Sequence, residues 1–78
     1  MGKIEAGVHS WIHRHPVVTQ VTFLIAGQLT IRMQEPNTDT FYDVEVHPGE
    51  AVLCQPDTLF QLRNDSEQVA TVLYLVSP

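Results

Sequence analysis

Two histidines two positions apart, His13 and His15 with Arg14 between them, are the side chains of this sequence best suited to chemistry. On an extended strand, residues i and i+2 project to the same face, so both imidazoles could meet one ligand. Neutral imidazoles paired in this way chelate a divalent transition metal. The same pattern also describes two ordinary exposed polar residues on a strand, and residue chemistry alone favours that plainer reading. Gln20 follows in an apolar strand, VVTQVTFLIA at residues 17–26. There Thr19, Val21, Phe23 and Ile25 share one face, and Gln20, Thr22, Leu24 and Ala26 share the other. Either the odd face is core and Gln20 meets solvent, or Gln20 turns inward, where its amide oxygen could accept from water or bind a metal weakly. Pro16 interrupts the ladder, so parity counting cannot relate the histidines to Gln20. Gln61, between Phe60 and Leu62, is open to the same two readings. His9 and His47 are expected at the surface, and Cys54 as a small buried hydrophobe. Local signals give no nucleophile with a base beside it and no glycine-rich phosphate loop.

The 78 residues provide for one domain, residues 1–78, with a thin core. An apolar share of 44% is that of a folded chain. Nine acids against four bases give a net charge of −5, and Lys3, Arg14, Arg32 and Arg63 are scattered singly. Phosphate neutralisation needs clustered bases, so no nucleic-acid partner is expected. The single cysteine can form neither an internal disulfide nor a thiolate cluster, which points to a reducing compartment. The first ten residues lack the apolar run of a signal peptide, and no stretch is long enough to span a membrane. A soluble, cytoplasmic protein is expected.

The elements that must position these side chains are all strands. Residues 17–26 and 29–33 are β-rich, with Gly27-Gln28 between them as a tight hairpin. Residues 35–40 (EPNTDT) are loop chemistry, and 41–46 (FYDVEV) alternate. Turns at 47–50 and 55–58 bracket a short strand at 51–54; strands follow at 59–63 and 69–76. Six or seven short strands at this spacing predict an all-β antiparallel sandwich or barrel. The last strand, VATVLYLV, is apolar on both faces, as in a central strand or one covered by a second subunit. With little helix to cover its edges, the fold is expected to form a homodimer.

Gly7, His13-Arg14-His15, Gln20 and Gly27, separated by five, four and six residues, resemble the first signature of the cupin superfamily. That signature has glutamate where this chain has Gln20. Gly49, Pro56, Thr58, Gln61 and Asn64 resemble the second signature in degraded form. One extra residue precedes Pro56, and Thr58 stands at a usual glycine. The histidine position falls on Gln61 counted from Pro56, or on Phe60 counted back from Asn64.

The resemblance implies a small jelly-roll β-barrel of the single-domain kind, holding a divalent transition metal between the two motifs. It implies His13 and His15 as ligands, Gln20 as a third and Gln61 as a fourth. An amide in place of a carboxylate removes a negative charge and weakens binding to a hard cation. Gly7 comes early, so the barrel is expected to be minimal and N-terminally short, or completed by a neighbouring subunit. Three functions are open: a metal-dependent oxygenase or isomerase acting on a small molecule, a non-catalytic module for a small ligand or metal, and a structural domain with a relict motif. No side chain nominates itself as a general base.

Overall fold

In the computed structural model, residues 2–10, 12 and 19–77 are described. Seven strands form: β1 (Gly2–Ile4), β2 (Thr19–Ala26), β3 (Leu29–Gln34), β4 (Phe41–Val46), β5 (Ala51–Cys54), β6 (Phe60–Arg63) and β7 (Ala70–Ser77). They pair in two antiparallel sheets, one in the order β1-β7-β2-β5 and the other β4-β3-β6. The expectation of a small all-β antiparallel barrel or jelly roll holds. The three-residue strand β1 is new; it is too short to show a period and is read only from its pairing with β7.

From β2 onward, every connection but that between β3 and β4 crosses from one sheet to the other. Among the described residues, only β3 and β4 join as a hairpin, across residues 35–40, with Gln34 opposite Phe41. Asn37 takes a left-handed backbone there, at φ 63°, which asparagine tolerates. Gly27-Gln28 is not the hairpin that local chemistry predicts. β2 and β3 lie in different sheets, and Gly27 turns the corner between them at φ 91°. A Cβ on Gly27 would collide with the Val69 carbonyl oxygen and stand 2.9 Å from Ala70 Cα. The glycine therefore answers a close backbone approach as well as a positive φ.

The core lies between the sheets. Leu24, Ile31 and Val72 are wholly buried, with Phe60, Val46, Leu29, Leu62 and Met33 around them. Each such side chain contributes about 2 kcal/mol through the area it removes from water. Beyond β6, residues 8–10 extend the second sheet. His9 bridges Arg63, Ser10 N donates to Leu62 O at 2.8 Å, and Asn64 N donates to Val8 O at 3.0 Å. Asn64 ties this edge to the rest of the fold. Wholly buried, it donates through Nδ2 to the carbonyls of Ile4 (2.8 Å) and Gln68 (2.7 Å). Its Oδ1 accepts from Ser66 N (3.1 Å) and Ser66 Oγ (2.6 Å).

Candidate functional site

β2 settles which of its faces is core. The even residues Gln20, Thr22 and Leu24 are buried, while Val21 and Phe23 are half-buried and Ile25 is exposed. Gln20 thus turns inward, the less ordinary of its two readings. Its Nε2 donates to Thr22 Oγ1 at 3.1 Å, a hydrogen bond inside the sandwich that satisfies two polar groups a core would otherwise penalise.

Register places these residues in two inward rungs. Gln20 stands opposite Cys54 on β5 and Val76 on β7; Thr22 stands opposite Val52 and Tyr74. The far ends of both rungs are open. Val76 is 58% exposed and Tyr74 37%, although both share the inward face. The β7 members of these rungs are thus exposed, while Gln20 and Thr22 beside them are buried. Cys54 is 1% exposed, and burial pushes its thiol up to about 11, so it is a neutral thiol at physiological pH. Burial also raises the Tyr74 phenol. Neither residue stands out by its sequence neighbourhood. Only the cross-strand register brings Cys54 beside Gln20 and Tyr74 beside Thr22.

Gln61 lies elsewhere. It alternates with the buried Phe60 and Leu62, so it faces away from the sandwich interior. Its Nε2 donates to the Ser10 carbonyl at 2.9 Å, and its Oε1 accepts from Arg63 at 3.0 Å. The structure does not bring Gln61 and Gln20 together. His13 and His15, with Arg14, lie outside the described residues. Among the described residues, no group of three His, Cys, Asp or Glu side chains is placed to hold a metal. The described part of a donor set is thus the Gln20 amide, with the Cys54 thiol as its cross-strand neighbour. These two fit a transition metal only when imidazoles join them.

His9 and His47 are exposed and each is paired. His9 Nε2 lies 2.6 Å from Asp65 Oδ1 and, with Arg63, holds that carboxyl below the usual carboxylate range. His47 N donates to Glu50 Oε1 at 2.7 Å and its Nδ1 lies 3.0 Å from the same oxygen, closing the turn before β5 and lowering Glu50. Arg32 grips Asp43 through two bonds of 2.9 and 3.1 Å, which raises the guanidinium and lowers the carboxyl. Arg63 reaches Asp65 at 3.4 Å. The described arginines are therefore tied to acids rather than gathered into a basic surface. No helix among the described residues is long and apolar enough to cross a membrane.

Residues 1–76 match the family described as the cupin domain, and the chain belongs to that family. Its fold is similar to that of Drosophila melanogaster CENP-C bound to CAL1, with a TM-score of 0.90 at 9% identity, over 96% of this chain and 60% of that one. The TT1209 protein from Thermus thermophilus aligns with a TM-score of 0.84 at 21% identity, over 97% of this chain and 67% of that one. The capsular polysaccharide assembling protein CapF from Staphylococcus aureus gives 0.87 at 17% identity, over 96% and 22%. The chain thus spans less than two thirds of the Drosophila protein and about a fifth of CapF. At these identities the likeness is one of fold. A comparison with curated proteins gave no match.

Proposed function

We propose that this cupin binds a divalent transition metal, and through it a small molecule, at the inward face of β2 around Gln20. His13 and His15 are the imidazole ligands in this reading, and Gln20 is the neutral third donor. The observation that supports it is the inward Gln20–Thr22 pair, two buried polar side chains on β2 beside the exposed Val76 and Tyr74 of β7. Gln61, engaged on the opposite face, has no part in the proposed ligand set. The unit is a cytoplasmic homodimer, in keeping with a lone thiol and the apolar strand faces.

A bound metal would supply Lewis-acid or oxygen-activating chemistry there. The chain's own part is to hold and orient. Gln20 and Thr22 do not titrate, and Cys54 keeps its proton at neutral pH. Those interior side chains offer no general base, which favours a non-catalytic binding module over the second reading, an oxygenase or isomerase. Thermal unfolding with and without Mn²⁺, Fe²⁺, Ni²⁺, Cu²⁺ and Zn²⁺ tests the site. A rise in midpoint that is lost in Gln20→Leu supports it, and no rise with any ion contradicts it. Oxygen uptake by the metal-loaded protein with a panel of phenols and small keto acids then separates enzyme from binder.

A further inference from the structure

β4 and β5 are end strands of different sheets, and no ladder joins them. Between them lies a cleft of about 290 Å³, lined by Met33, Tyr42 and Leu53 and, from the turn before β6, by Gln55 and Thr58. None of its described lining residues is charged, in a chain of net charge −5. Met33 and Tyr42 are cross-strand partners on β3 and β4, and they bring a thioether and an aromatic ring to one wall. Thr58 supplies the polar contrast. Asp57 takes a left-handed backbone at φ 60°, and the turn carries Thr58 inward until it is 7% exposed. The Thr58 hydroxyl donates to the Pro56 carbonyl at 3.4 Å, a long contact within its own turn. Among the described residues nothing donates to its oxygen, so a buried acceptor beside the cavity is left for a ligand to satisfy. Gln55 is exposed on the same turn, and its amide has no partner among the described residues.

We propose that this cleft binds a small neutral aromatic molecule bearing a hydroxyl, a compound of the phenol class. Size limits the ligand first. Ligand pockets begin at about 300 Å³, so this cleft takes a single ring and not a nucleotide. Charge limits it next. A carboxylate or an ammonium group would lose hydration here and meet no opposite charge. The walls select the shape, because a polarizable thioether and an aromatic face both favour contact with a ring. Thr58 and Gln55 select the substituent. A phenolic hydroxyl donates to Thr58 Oγ1 and can accept from the Gln55 amide, using both groups the fold leaves open. Neither Gln20 nor Thr22 lines the cleft, so the ring needs no metal to bind.

Two-dimensional NMR of the isotope-labelled full chain, titrated with phenol, toluene and benzoate, tests the site. The expected result with phenol is saturable shifts at Gln55, Thr58 and the Met33 methyl. Toluene, which lacks the hydroxyl, should bind more weakly, and benzoate not at all. Thr58→Val keeps the side-chain shape and removes the hydroxyl. Phenol should bind this variant about fivefold more weakly, with toluene unchanged. Equal binding of phenol and toluene, or an unchanged phenol affinity in Thr58→Val, overturns the proposal. Shifts centred on Gln20 and Thr22 overturn the cleft and place the ring at the proposed metal site. No saturable shift overturns the cleft and leaves that metal site untouched, since metal uptake is measured separately. Should Thr58→Val not fold, intermolecular nuclear Overhauser contacts in the wild type replace it. Contacts from phenol ring protons to the Met33 and Thr58 methyls support the cleft; their absence with phenol in excess overturns it.

Discussion

Gln20 and Thr22, two residues apart on β2, share one inward face and a 3.1 Å hydrogen bond from Nε2 to Oγ1. The bond fixes the amide's rotamer in the interior, so a donor at this position is preorganised rather than recruited on binding. Gln20→Glu returns a negative charge to the proposed ligand set. Metal affinity, measured by titration calorimetry, is expected to rise at least tenfold, or about 1.4 kcal/mol. Unchanged affinity in a folded variant would remove Gln20 from the ligand set.

Cys54 gives a prediction in pH. Its folded-state pKa of about 11 is raised above the ordinary 9.0 by burial. The neutral thiol is the form the fold favours, so its contribution to stability is complete below about pH 9. It falls as pH rises through 9 towards 11. The urea midpoint of wild type is expected to fall across that window more steeply than that of Cys54→Ala. At pH 7.5 the thiol should react with a disulfide reagent only after unfolding. Rapid reaction of the native protein would contradict its burial.

Asn64 closes the edge between β1, the segment at residues 8–10 and the loop after β6. Asn64→Ala takes the buried donor from the Ile4 carbonyl and one of two partners from both the Gln68 carbonyl and the Ser66 hydroxyl, which still bond each other at 3.1 Å. The expected loss is about 2 kcal/mol in denaturant unfolding. Asn64→Asp keeps the acceptor but loses both donors and buries a charge, and it is expected to cost at least as much. A loss under about 1 kcal/mol for either variant would show that this network contributes little.

Gly27→Ala tests the corner between the sheets. The added methyl meets the Val69 carbonyl oxygen at a positive φ, so the backbone of two strands must move. A destabilisation of about 2–4 kcal/mol is expected in thermal or denaturant unfolding. Gly49→Ala is the control. Its φ of 92° is equally unusual, but a methyl there meets nothing within 4 Å, so it should cost clearly less. Equal costs would mean that conformation alone, and not the approach of Val69, selects glycine at position 27.

Strand composition and turn chemistry made the all-β class legible, and the strands fell within a residue or two of their positions. Sheet assignment was not legible at the Gly27-Gln28 corner. A glycine at positive φ suits a hairpin and a change of sheet equally well, and only the approach of Val69, forty-two positions away, distinguishes them. The parity of β2 was hidden for a related reason. Its odd residues, Val21, Phe23 and Ile25, are the more apolar set, yet they face outward. A face apolar enough to be read as core therefore lies on the outside of this sheet. At the site, the H-x-H spacing nominates His13 and His15, but Cys54 comes to Gln20 and Tyr74 to Thr22 only through long-range register. Gln61 occupies the motif position counted from Pro56, and β6 turns it outward.

Elemental analysis of the protein, purified without a histidine tag or chelator, tests the central claim most directly. The account predicts a divalent transition metal at close to one equivalent per chain, retained on dialysis and lost when His13→Ala and His15→Ala are combined. A chain that carries no metal, and takes up none when each divalent ion is supplied in excess, would contradict it.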